Sequence, residues 1–120
     1  MSEFREALSD VAARLPETRM LVIMGTDGIP VERYVSEEDA HLDAVAAEYT
    51  TTLRTSLSTS EDTGLGELLE VTVVNEKVTA LMVAITPDYY LFAALAPGAA
   101  VGRARFLLRL ASLKLEPEFA

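Results

Sequence analysis

Residues 19–24 read RMLVIM, an apolar run too short for a stable helix and too continuous for a strand with one wet face. A run of this kind belongs to a central strand. Thr26-Asp27-Gly28 follows, then a second β-rich stretch from Ile29 to Val35. Asp-Gly between two apolar runs is the strongest short-range signal for a β-hairpin. Pro30 has no N–H to give to a ladder, so the second strand either lies at a sheet edge or begins at Pro30.

The rest of the chain supplies elements on both sides of this hairpin. Before it, Ser2 is a candidate N-cap, and Phe4, Leu8, Val11 and Leu15 recur at helical spacing until Pro16 stops the pattern. After it, Ser36-Glu37-Glu38-Asp39 reads as an N-cap followed by acids that suit the positive end of a helix dipole. A long helix is expected from there to about Thr59, with Leu42, Val45, Ala46, Tyr49, Leu53, Ser56 and Leu57 on its core face. Glu61 to Gly66 forms a loop. Leu68–Val74, Lys77–Ile85 and Tyr89–Leu95 are three β-rich runs, with Asn75-Glu76 and Thr86-Pro87-Asp88 between them at hairpin spacing. Ala96-Pro97-Gly98 breaks the pattern, and a last helix spans Val101 to about Leu115. The order α-β-β-α-β-β-β-α defines an α+β chain, and residues 1–120 are read as one domain without repeat, linker or low-complexity segment.

Composition narrows the function. There is no cysteine, which removes disulfides, thiolate metal sites and cysteine nucleophiles. The net charge of −9 argues against nucleic acid and against an anionic membrane surface, both of which select for excess cations. No apolar stretch approaches a membrane span and no signal-peptide pattern opens the chain, so a cytoplasmic protein is expected. Charge is uneven. Arg103, Arg105, Arg109 and Lys114 stand against Glu116 and Glu118 in the last segment, a net +2, which leaves −11 on everything before it. A basic last helix on an acidic body favours an oppositely charged partner, although Arg109 and Lys114 also suit the negative end of a helix dipole.

Catalytic chemistry finds little support. The single histidine, His41, has Asp39 and Asp43 as neighbours, but residues two apart on a helix point to different sides, so it reads as a surface histidine and not a metal ligand. Gly25-x-x-Gly28 and Gly64-x-Gly66 each lead into a strand, whereas dinucleotide and phosphate loops open helices. Asp27 is a turn former, and no serine sits in a nucleophile elbow. No enzyme, cofactor or metal is expected.

Two surfaces are more informative. Opposite the core face of the long helix lie Ala40, Ala44, Ala47, Thr51, Thr55 and Ser58, with Arg54 at the margin. Solvent-facing stripes are normally rich in Glu and Lys, and small uncharged side chains permit close approach, so this stripe is expected to be covered in the working assembly. High helix propensity alone would also place alanine there. The last helix has two apolar faces, one of Val101, Ala104, Leu107, Leu108, Ala111 and Leu115, the other of Phe106, Leu110 and Leu113. The first helix is expected to cover part of the second.

Three passages together resemble the roadblock/dynein-light-chain family, including the bacterial Mgl-type regulators of Ras-like GTPases. They are LVIMGTDGIPVERY, GLGELLEVTVVNEKVTALMVAI and LFAALAPGAAVGRARFLLRLA, the last with Pro97, Gly98, Gly102 and Arg105 at the family's break and helix start. The likeness covers about residues 2–116. It implies a profilin-like five-stranded antiparallel sheet with the first and last helices on one face and the long helix on the other. It also implies a homodimer joined through the third strand and the paired long helices. The expected interface residues are Ala40, Ala44, Ala47, Thr51, Thr55, Leu68, Glu70, Thr72 and Val74. Glu48, Arg54 and Ser58 are expected to meet the partner, a Ras-like small GTPase whose hydrolysis or localisation would be modulated without a catalytic residue. Two other readings stay open: a dimeric assembly platform that never touches a GTPase, and a small-molecule sensor, which needs a cavity with converging polar groups.

Overall fold

The computed structural model describes residues 2–36 and 39–119. Helix α1 (Ser2–Arg14) leads to strands β1 (Thr18–Gly25) and β2 (Pro30–Val35) and then to helix α2 (Ala40–Asp62). Strands β3 (Glu70–Val74), β4 (Thr79–Thr86) and β5 (Tyr89–Leu95) follow, then helix α3 (Val101–Leu115) and a 3-10 turn (Glu116–Phe119). The five strands form one antiparallel sheet in the order β2-β1-β5-β4-β3. The RMLVIM run is an interior strand, as its continuous apolar character requires.

Alternation along the strands sorts the core into two layers. Leu21, Ile23, Leu81, Val83, Leu91 and Ala93 face α1 and α3, where they meet Leu8, Val11, Ala104 and Leu108. Met20, Val22, Met82, Tyr90 and Phe92 face α2, where they meet Leu42, Ala46 and Leu53. The first hairpin turns as expected. Gly28 takes a φ of 90°, and the Asp27 carboxylate accepts from the Ile29 N–H at 2.9 Å. Pro30 satisfies both alternatives, since it is the first residue of an edge strand and stands opposite Met24 at a bulge.

Several boundaries depart from expectation. Helix α2 is capped by Asp39, whose side chain accepts from the His41 N–H at 2.9 Å, and not by Ser36. Ser36 donates from both N–H and Oγ to the Arg19 carbonyl, so it closes the β1–β2 ladder and cannot reach the helix. The acids placed in the first turn, Glu37 and Glu38, lie outside the described residues. The helix runs on to Asp62, with hydroxyls of Ser56, Thr59 and Thr63 bonding back to carbonyls four residues earlier, and Gly64 at a φ of 68° follows its end. Lys77 belongs to a turn closed by Asn75 N–H to Val78 carbonyl, so β4 starts at Thr79. Helix α1 already includes Ser2, and the cap proposed there rests on a side chain outside the described part. Finally, α1 lies beside α3 and not over it. Leu110 is partly covered (37% exposed), but Phe106 and Leu113 stay open at 62% and 67%.

Candidate interaction surfaces

Helix α2 is fastened across its face of the sheet by polar contacts on both flanks. On one, the Tyr49 hydroxyl accepts from Asn75 Nδ2 at 2.9 Å, just past the end of β3. On the other, Arg54 Nη1 donates to the Thr26 carbonyl in the first hairpin at 3.0 Å. Beneath it, Thr50 Oγ1 bonds the Tyr90 hydroxyl at 2.5 Å and donates to the Ala46 carbonyl at 3.0 Å, both side chains being almost fully buried. Burial pushes the Tyr90 hydroxyl above its ordinary pKa, with the Arg54 charge pulling the other way. Thr50 is the core residue that a hydrophobic wheel misses. A threonine forty residues from its tyrosine gives no local signal of the pairing.

Between these fastenings the outward surface of α2 holds Ala40, Ala44, Ala47, Thr51, Thr55 and Ser58, every one exposed, with Glu48 exposed beside them. The structure thus brings the predicted stripe together on one open helix face. Around the helix from Tyr49, the flank above β3 also carries Thr52 and Thr59. These escape a reading that selects only the side opposite the core. Arg54 falls on the far flank, held by the first hairpin.

Strand β3 pairs with β4 on one side only, and among the described residues its other edge has no strand against it. Leu68 packs partly against the α2-side core, and Val74 is 68% exposed. Glu70 and Thr72 are tied together at 2.7 Å, and the Glu70 carboxylate is engaged from above by Arg105 Nε at 2.5 Å and Arg109 Nη2 at 3.0 Å. Burial alone would raise the Glu70 pKa, but hydrogen bonds from Thr72, Arg105 and Arg109 and the Arg105 charge outweigh it, so the carboxyl sits below its ordinary value. The spacing of Arg105 and Arg109, one helical turn apart, is the only sequence hint of this clamp.

A groove of about 890 Å³ opens between the C-terminal end of α2 and the ends of β3, β4 and β5. Its floor includes Leu53, Leu57, Leu68, Met82 and Tyr90; Glu61, Glu67, Asp88 and Glu116 are among its polar lining. His41 lies far from it in sequence, exposed in the first turn of α2. No group of three acids and histidines able to hold a metal occurs among the described residues.

No protein-family model matches the chain, and no curated protein matches it. Solved structures do. A roadblock/LC7 domain from Streptomyces avermitilis superposes with a TM-score of 0.82 over 95% of each chain, at 16% identity. MglC from Myxococcus xanthus is similar in sequence as well, 30% identical over 97% of this chain and 98% of its own, with a TM-score of 0.74. The chain belongs to the roadblock/LC7 family. An MglB solved in a tetrameric arrangement shares the roadblock fold at a TM-score of 0.82 and 13% identity, over 94% of this chain and 85% of that one. In this roadblock domain the Tyr49 flank of α2 is joined to the end of β3 through the Tyr49–Asn75 contact, while the small-residue stripe lies further round the helix, toward Arg54. No helix among the described residues is long and apolar enough to cross a membrane.

Proposed function

We propose that this roadblock domain is a non-catalytic homodimer that docks a Ras-like small GTPase and modulates its hydrolysis or location. One observation carries the reading: the same domain leaves one strand edge unpaired and one helix face of small, uncharged side chains open. A free edge is an aggregation hazard unless something pairs with it, and a second copy of β3 would extend the sheet antiparallel across a two-fold axis. Seam residues would then be Leu68, Glu70, Thr72 and Val74, Glu70 through its main chain, with Ala40, Ala44, Ala47, Thr51 and Thr55 between the two α2 helices. Glu48, Arg54 and Ser58 would border the surface left for the GTPase. The family's MglB and MglC members, one of them solved as a tetrameric arrangement, support self-association. The domain contributes surface and charge, and no nucleophile, base or cofactor is assigned to it. The cytoplasm is where such a partner is found.

Light scattering on the full chain and on Ala47→Arg tests the seam, with the wild type expected at twice the monomer mass and the variant at one. Mixing the wild type with a small GTPase encoded beside it, loaded with GTP, tests the partner by co-elution and by altered turnover. An intact dimer that neither binds nor alters such a GTPase would leave only the assembly-platform reading. The groove under α2 favours a further variant in which a small ligand tunes the platform. Thermal shift against a metabolite library would detect it.

A further inference from the structure

The outer face of α3 combines an exposed apolar line with an excess of cations. Phe106, Leu110 and Leu113 follow one another at steps of four and three residues, which places them in one line along the helix. Helix α3 also contains Arg103, Arg105, Arg109 and Lys114 and no acid, so in a chain of net charge −9 the remainder carries −13. The only carboxylate that pairs with these four cations among the described residues is Glu70, shared by Arg105 and Arg109. Arg103 directs its guanidinium to the Arg14 carbonyl at 2.7 Å, and Lys114 forms no ion pair among the described residues. Beside Leu110 a small trough between α1 and α3, lined by Ala7, Val11, Leu107 and Ala111 and by the charged Asp10, Arg14 and Lys114, adds depth to one side of the line.

We propose that this face is a docking site for an acidic amphipathic helix of another protein. Apolar anchors at three- and four-residue steps would lie along Phe106, Leu110 and Leu113, and flanking Asp or Glu would reach Lys114 and Arg103 on one side and Arg109 on the other. Charge selects this occupant over the alternatives. A second α3 would set cations against cations. A flat anionic membrane would also confront the −13 of the body, whereas one helix along Phe106, Leu110 and Leu113 lies between Lys114 and Arg103 on one side and Arg109 on the other and meets one acid, Asp10, at the trough. The site lies on the opposite face of the sheet from α2, so it stays open when the α2 platform is covered.

The test uses the full chain and a fluorescently labelled peptide of leucine and glutamate at helical spacing, read by anisotropy. Saturable binding is expected, weakened by salt and lost when lysine replaces glutamate in the peptide. Phe106→Glu and Leu113→Glu should each raise Kd by at least about tenfold, and Lys114→Glu should weaken binding more at low salt than at high. Far-UV circular dichroism shows that each variant is folded; Phe106→Ser and Leu113→Ser replace any that is not. The proposal is overturned by absence of saturable binding, by equal affinity for the lysine peptide, or by Phe106→Glu and Leu113→Glu leaving binding unchanged. Phe106-dependent sedimentation with phosphatidylglycerol vesicles, in the absence of peptide binding, would assign the face to lipid instead. A fall in mass on Phe106→Glu would assign it to a second copy.

Discussion

The buried Thr50–Tyr90 contact makes an asymmetric prediction, because the hydrogens can be assigned. Thr50 has one proton, and the Ala46 carbonyl 3.0 Å away takes it, which leaves the Tyr90 hydroxyl as the donor in the 2.5 Å contact. Met24 Sδ, 3.5 Å from the same oxygen, is only a weak competitor. Thr50→Val keeps the shape and strands a buried donor, which costs about 2 kcal/mol. Tyr90→Phe removes that donor while Thr50 still bonds Ala46, so only the net value of one hydrogen bond is lost, about 1 kcal/mol. With both changed no donor is stranded, and the double variant should resemble Tyr90→Phe, giving a coupling of about 2 kcal/mol. Urea unfolding at fixed protein concentration, with equal slopes across the four proteins, supplies the numbers. Thr50→Val milder than Tyr90→Phe, or a coupling below about 0.3 kcal/mol, would refute the assigned donor direction.

Tyr90 also sets an alkaline limit. Its folded pKa is raised, so its contribution is fully present below the unfolded value near 10 and is lost as pH rises through the folded value; Tyr90→Phe should flatten that limb of a stability-against-pH curve. Glu70 works in the opposite sense. Its folded pKa is lowered, so its contribution is present above the ordinary carboxylate value and disappears as pH falls through the folded one. Glu70→Gln should remove about 1 kcal/mol at neutral pH, an amount kept small by two arginines nearly half exposed, and almost nothing at acid pH, as read by chemical denaturation at both. At the start of α2, Asp39→Ala should cost about 1 kcal/mol and loosen the first turn in amide exchange, whereas Ser36→Ala leaves that turn's protection unchanged.

Much of the fold was legible wherever one residue type admits one backbone. Asp27-Gly28 specified the hairpin because Gly28 needs a positive φ, and α3 was bounded correctly because Pro97-Gly98 and the 3-10 turn at Glu116 punctuate it sharply. The cap of α2 was ambiguous for a physical reason. Ser36 and Asp39 are both good caps, and only the ladder partner of Ser36, Arg19, decides between them. The α2 stripe was visible in the wheel because it is a property of one helix. Thr50 and the Glu70 clamp were not, since each depends on a group thirty or more residues away that only the assembled sheet brings near. The second apolar face of α3 is legible in the wheel and α1 covers part of it at Leu110, but that Phe106 and Leu113 stay open is not, because a wheel gives the direction of a face and not what arrives there.

The strand order carries a consequence for how the chain is made. Among the described residues the first hairpin, β1–β2, and the second, β3–β4, do not pair with each other; β5, the last of the five strands in chain order, lies between β1 and β4 and holds them together. Until Tyr89–Leu95 emerges, the nascent protein is two separate hairpins, each too small to be stable alone. The sheet therefore closes late and all at once. A ribosome stalled before residue 89 would hold a chain with its two eight-residue strands, β1 and β4, each open along one side. Synthesis of β5 is thus the step at which the two hairpins gain their common partner.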